Sequence, residues 1–94
     1  YKVLSRNYSV PGGEIDIVAE ESGITVFVEV KYRSDSALGS GAESVTPRKQ
    51  ACLRRAAQAY LAENNITGRA RFDVLELFGP SSFYDIRHIK NAFE

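Results

Sequence analysis

The sequence predicts a mixed α+β domain, a four- to five-stranded mixed sheet with one long helix packed on one face. Three observations carry that prediction. Short segments rich in β-branched and aromatic residues, separated by Gly/Pro turn signals, fill the first third of the chain. One apolar stripe at helical spacing follows a threonine-proline pair. Strand-like composition then returns after Gly68. The 94 residues suffice for one modest core, and no repeat or long linker divides them, so residues 1–94 are read as a single domain.

Lys2 to Tyr8 places Val3, Leu4 and Tyr8 among polar residues and reads as the first strand; Pro11-Gly12-Gly13 ends it. Glu14 to Glu20 alternates Glu14, Asp16 and Val18 with Ile15, Ile17 and Ala19 and reads as the second. Ser22-Gly23 is a tight-turn dipeptide, and Ile24 to Tyr32 is the clearest strand of the chain. Joined by short turns, these three are expected to be mostly antiparallel. Ser34 to Val45 reads as a mobile loop, with serines at 34, 36 and 40 and glycines at 39 and 41. Thr46 as N-cap and Pro47 at the first helical position start a helix expected to run to about Asn64. Its apolar stripe is Leu53, Ala56, Ala57, Tyr60 and Leu61. Arg69 to Leu77 is a fourth strand, Gly79-Pro80 a turn, and Tyr84 to Ile89 a candidate fifth.

No apolar run approaches the ~20 residues that span a bilayer, and no signal-peptide pattern opens the chain. Cys52, alone, forms neither an internal disulfide nor a zinc site, so a reducing, cytoplasmic setting is expected. Tyr1 rather than a methionine opens the chain, almost directly in a strand-like segment, and a preceding segment is expected. Twelve basic residues balance twelve acidic ones, which counts against nucleic-acid binding by bulk charge. The distribution is uneven. Residues 9–30 hold Glu14, Asp16, Glu20, Glu21 and Glu29 with no Lys or Arg, whereas residues 31–55 hold six basic residues against Asp35 and Glu43.

If Ser22-Gly23 is a two-residue hairpin loop, cross-strand pairs have numbers summing to 45. Val18 then faces Phe27, Asp16 faces Glu29 and Glu14 faces Lys31, all on one side of the sheet. Ile15, Ile17 and Ala19 against Val26, Val28 and Val30 form an apolar core on the other side. Opposed carboxylates have Cβ atoms only ~5 Å apart, a destabilising arrangement unless a cation sits between them. Mg²⁺, a hard cation, takes one or two carboxylates plus water and phosphate oxygens. Lys31 on the same face is placed to hold an attacking water or stabilise the charge of phosphodiester hydrolysis. The competing reading is plain: a Glu-x-Lys in a strand is common, and Glu14–Lys31 would be an exposed ion pair worth about 1 kcal/mol or less.

Gln50 extends the buried stripe towards the helix start, where it either faces the carboxylates or points to solvent. Arg48 and Lys49, with the helix-start amides, are candidates for phosphate contact, as are Arg54 and Arg55, of which at least one is expected to be merely solvated. Arg33 is the stronger candidate. His88 is expected to be structural or on the surface. Asp73, in mid-strand, pairs with an arginine or supports the site.

Gly12-Gly13-Glu14-Ile15-Asp16-Ile17-Val18-Ala19 and Val26-Phe27-Val28-Glu29-Val30-Lys31 resemble the two core motifs of the YraN-like family. This is a bacterial group of endonuclease-like proteins related to Holliday-junction resolvases and to PD-(D/E)xK nucleases. The resemblance continues through Val45-Thr46-Pro47-Arg48-Lys49-Gln50, the helix segment Ala56 to Leu61, Arg71-Phe72-Asp73-Val74 and the ending His88-Ile89 with Asn91-Ala92-Phe93. It implies a restriction-endonuclease-like core, Asp16 and Glu29 as ligands of Mg²⁺ or Mn²⁺ with the Val30 carbonyl completing the site, and Lys31 as the catalytic lysine. It gives Glu14 no firm role. The family pattern opens with a helix carrying a further glutamate, ahead of the segment that starts at Tyr1; this sequence lacks it. In related nucleases such a residue helps to hold metal.

Three functions are thus in view. The first is a Mg²⁺- or Mn²⁺-dependent DNA endonuclease acting on branched or structured DNA, as a homodimer if both strands are cut. The second is a nucleic-acid-binding module of the same fold without turnover. The third is a protein–protein adaptor whose carboxylates are only a surface feature.

Overall fold

Ser22 and Gly23 both take positive φ, 52° and 80°, the conformation of a two-residue turn whose twist matches the strands it joins. That turn sets the register at the centre of the protein. A computed structural model of the chain describes residues 1–33, 45–79 and 85–93. Its elements are β1 (Lys2–Val10), β2 (Gly13–Glu21), β3 (Ile24–Arg33), α1 (Pro47–Glu63), β4 (Ala70–Phe78) and β5 (Asp85–Phe93). The five strands form one sheet in the order β1-β2-β3-β4-β5. All neighbours are antiparallel except β3 and β4, which the crossover through α1 makes parallel. This is the predicted mixed α+β architecture, and it is consistent with a restriction-endonuclease-like core.

The helix begins where threonine and proline place it. Thr46 Oγ1 accepts a hydrogen bond from Lys49 N at 3.1 Å, and Asn64 caps the other end. Leu53, Ala56, Ala57 and Tyr60 are buried against Ile15, Val18, Phe27 and Val74 of the sheet, with Val45 from just before the helix. A buried leucine or phenylalanine of this kind stabilises the fold by about 1.5–3 kcal/mol. Tyr60 adds edge-on contacts to Tyr8 and Phe27, with ring centroids 5.1 and 6.1 Å away. A second cluster, Ala19, Val26 and Val28, lies on the opposite face with Ile17, Ile24, Val30 and Leu75 around it.

Two expectations are corrected. Ile15 packs in the helix-side core, not with Ile17 and Ala19. The β2–β3 ladder follows the predicted register from Glu21↔Ile24 to Ile17↔Val28 and ends there. Beyond that point β2 leaves β3 and bends onto the helix. An alanine Cβ at Gly13 would lie 2.4 Å from the Cys52 carbonyl oxygen, so only glycine permits this approach. Asn7, between the pairs Arg6↔Ile17 and Tyr8↔Ile15, takes φ 53° across from Asp16, and the strict alternation of faces is reset there. Second, β5 runs on to Phe93 rather than stopping at Ile89. The ladder with β4 shifts between Phe72 and Val74, Asn91 takes φ 52°, and Phe93 stacks on Phe72 at 4.8 Å. The expected loop over 34–44, and Pro80 and Tyr84 of the expected turn and fifth strand, lie outside the described residues. Val45, expected at the end of that loop, is buried in the core.

Candidate metal centre at the β2–β3 divergence

Where β2 leaves β3, a side chain takes over from the backbone. Asp16 Oδ2 accepts a hydrogen bond from Val30 N at 2.8 Å. The Asp16 side chain is thereby held against β3 beside Glu29, the next residue back along the strand. Glu29 points to the helix side, as Phe27 does, and is almost wholly buried at 5% exposure. Its Oε2 lies 3.5 Å from Lys31 Nζ and 3.5 Å from Lys49 Nζ on the first turn of α1. Burial first, then the Asp16 charge beside it, pushes the Glu29 carboxyl above its ordinary value, against the downward pull of the two lysines. The arrangement is two abutting carboxylates with two ammonium groups on one of them.

The other predicted residues distribute as follows. Glu14 pairs with Ser9 in the β1–β2 ladder and lies near Lys49 and Cys52 around a small pocket, so the expected Glu14–Lys31 pairing does not form. Its cause is the departure of β2 from β3. Gln50 Nε2 donates to the Val45 carbonyl at 3.0 Å, and its Oε1 accepts from Arg54 Nη2 at 3.1 Å. Arg54 also lies over the Phe93 ring, 5.5 Å from its centroid. Arg55 Nε donates to the Pro11 carbonyl at 3.0 Å and is exposed, as is Arg48. Arg33 closes β3, and its side chain lies outside the described residues.

Asp73 does not join Asp16 and Glu29. It stands in register with Val28, and so faces the opposite side of the sheet from Val74, the register partner of Glu29. There it is fully buried and serves as the centre of a polar cluster. Arg71 Nε donates to it at 3.0 Å, Asn91 N at 3.0 Å and Tyr1 OH at 3.1 Å, and His88 Nε2 lies 2.7 Å away. Burial alone would raise its carboxyl; the hydrogen bonds from Arg71, Asn91 and His88 outweigh that and hold it below its ordinary value. His88 is structural, as expected of a lone histidine.

Sequence reasoning overlooked Glu76. It is in register with Lys31 in the parallel β3–β4 ladder, shares its face and is 2% exposed, with Arg87 Nη1 3.8 Å from its Oε1. The strand period within Arg71 to Leu77 sets it on that face, but only the parallel register sets it beside Lys31. Among the described residues no group of three or more His, Cys, Asp or Glu side chains is gathered as metal ligands.

Comparison with known proteins identifies the family of this chain. Residues 1–77 match the family model described as "Uncharacterised protein family UPF0102". A UPF0102 protein of Sulfurihydrogenibium is 46% identical over 94 residues, which cover 99% of this chain and 78% of the relative. A UPF0102 protein of Alkaliphilus oremlandii is 44% identical over 96 residues, covering 99% and 82%. A third, from Carboxydothermus hydrogenoformans, is 37% identical over 95 residues, covering 100% and 80%. With the two core motifs and the helix start all inside the matched span, the chain belongs to the UPF0102 family, the YraN family of the resemblance drawn from its motifs.

Proposed function

We propose that this protein is a metal-dependent endonuclease that hydrolyses DNA phosphodiester bonds, with branched or structured DNA as its substrate class. The observation that carries the reading is the Glu29 carboxylate, buried against Asp16 and met by Lys31. Two carboxylates this close repel unless positive charge stands between them, and a divalent ion there would add to the charge that Lys31 and Lys49 already bring to Glu29. The donors fit Mg²⁺ or Mn²⁺: hard carboxylate oxygens of Asp16 and Glu29, with the Val30 carbonyl as a third. Such an ion, when bound, lowers the pKa of its water and polarises a phosphoryl oxygen.

The chain's own residues do the rest. Asp16 is oriented by Val30 N, which fixes one of its oxygens, and its carboxyl lies within hydrogen-bond reach of Glu29, so that the two acids would hold an ion together. Lys31 holds the attacking water or the developing phosphorane charge. Arg48, exposed at the helix start, supports contact with a neighbouring phosphate, with Lys49 beside it paired to Glu29. No described helix is long and apolar enough to cross a membrane.

The test is incubation of the protein with Mg²⁺ or Mn²⁺ and linear, flapped and four-way DNA, beside Glu29→Ala and Lys31→Ala. Metal-dependent cutting lost in both variants is the expected result. No cutting of any substrate, or cutting that both variants retain, overturns the proposal.

One observation favours a second reading, a DNA-binding module without turnover. Lys31 and Lys49 already supply two positive charges to the Asp16–Glu29 pair, so the site balances without a metal. Salt-sensitive DNA binding that survives Asp16→Ala and Glu29→Ala, with no metal uptake by calorimetry, would establish it.

A further inference from the structure

Asp16 has a second neighbourhood on the side of the sheet away from Lys31. A surface pocket there is lined by Arg6, Asn7, Asp16, Ile17, Val30 and Tyr32. Tyr32 is 68% exposed, the most exposed of the large apolar side chains in the described residues. Strand alternation sets it on the same face as Val30, about 7 Å further along β3. Arg6 is also exposed, and among the described residues it makes no ion pair. The left-handed turn of β1 at Asn7 (φ 53°) lies beside it.

An aromatic face, a guanidinium and an adjoining carboxylate form a combination with a specific use. We infer that this pocket seats an unpaired nucleotide next to the scissile phosphate, its base stacked on Tyr32 and its phosphate met by Arg6. The inference rests on the reading of the Asp16–Glu29 site as one that cuts DNA, and it names the feature of the substrate that is recognised. A paired base has both faces covered by its neighbours in the duplex and offers none to a tyrosine ring. An unpaired base offers its face freely, and stacking tolerates any base. The Asp16 carboxylate repels a phosphate set directly on it, so the phosphate is held at the Arg6 end, and the strand continues past Asp16 towards Glu29 and Lys31. Flaps, loops and junction arms supply such nucleotides; an uninterrupted duplex does not.

The experiment is fluorescence anisotropy with a labelled oligo-dT and a blunt duplex of equal length, in EDTA, so that metal binding plays no part. Tyr32→Ala is expected to weaken oligo-dT binding about tenfold and duplex binding less than twofold. Tyr32→Phe keeps the ring and restores oligo-dT binding. Arg6→Ala lowers the slope of log K against log salt by about one. Unchanged oligo-dT binding in Tyr32→Ala, an equal loss on duplex, or no binding of oligo-dT by the parent protein overturns the inference. Metal uptake at Asp16 and Glu29 is measured separately, so failure here leaves the nuclease reading to its own test, and the converse holds.

Discussion

Lys49 Nζ, on the first turn of α1, lies 3.5 Å from the same Glu29 oxygen that Lys31 approaches from within β3. The helix start and the central strand are thus joined through one buried carboxylate. Both lysines pull the Glu29 pKa down, while burial and Asp16 together raise it further than they lower it. Lys31→Met and Lys49→Met should each move the Glu29 midpoint upward, and the double variant should move it more than either. A ¹³C-carboxyl NMR titration reads this directly. A midpoint unmoved in both single variants would show that the ion pairs carry no weight.

The same carboxyl has a consequence for stability. A carboxyl with a higher pKa in the folded than in the unfolded state favours the fold fully at acid pH, below its unfolded value. That contribution is lost as pH rises through the folded pKa. Glu29 therefore makes the metal-free protein less stable from about its ordinary value of 4.5 upward. Glu29→Gln should remove this fall, so that its advantage over the parent grows from pH 4 to pH 7 in urea melts run in EDTA. An advantage that shrinks over that range contradicts the assigned direction.

Gly13→Ala tests how closely β2 approaches α1. The new Cβ would stand 2.4 Å from the Cys52 carbonyl oxygen and 3.0 Å from Ala56 N, both backbone atoms of a helix that cannot yield locally. A loss of about 3 kcal/mol is expected, read by thermal unfolding as a drop of roughly 12 °C or more. A loss below 1 kcal/mol would mean that β2 and the helix separate easily.

Much of this was legible in the sequence, because it follows from local chemistry. Thr46-Pro47 marks the helix start, and Ser22-Gly23 sets the β2–β3 register through Ile17↔Val28. The juxtaposition of Asp16 and Glu29 follows from that register, although the contact is made through the Val30 amide rather than as a ladder pair. What did not follow was any feature set by a break in alternation. Ile15 changes face because β2 bends towards α1, and β5 continues to Phe93 through a shifted ladder at Asn91. Asp73 and Glu76, three apart on β4, fall on opposite faces, and only the parallel register with β3 assigns Glu76 to the side of Lys31. No spacing rule within one strand reveals a parallel partner 45 residues away, as with Lys31 and Glu76.

Asp73→Asn should separate scaffold from site. It removes a fully buried charge on which Arg71, His88, Tyr1 and the Asn91 amide converge, tying β1 and β5 to β4. Breaking a buried pair of this kind costs about 3 kcal/mol. The Asp73 carboxyl is held low, so its contribution is present above its unfolded pKa and is lost as pH falls through the folded one. The variant should therefore differ most from the parent near neutral pH and converge with it in acid. Because Asp73 faces away from Glu29, Mn²⁺ affinity measured on the folded variant should stay within about twofold of the parent. A tenfold loss would place Asp73 in the proposed metal site.

Asp16 performs two tasks that substitution can divide. Its Oδ2 satisfies the Val30 N–H where the β2–β3 ladder has ended, and its charge is half of the carboxylate pair. Asp16→Asn keeps an acceptor for that N–H and removes the charge. Stability in EDTA should hold or rise, since the repulsion that raises Glu29 is relieved, while Mn²⁺ binding by calorimetry should fall at least tenfold. Asp16→Ala removes both, and the part-buried Val30 amide left without its partner should cost about 1–3 kcal/mol in addition. Equal stability of the two variants would mean that water replaces the carboxylate at Val30 without cost. Undiminished Mn²⁺ binding in both would leave the paired carboxylates as a structural feature of the strand divergence, balanced by Lys31 and Lys49 alone.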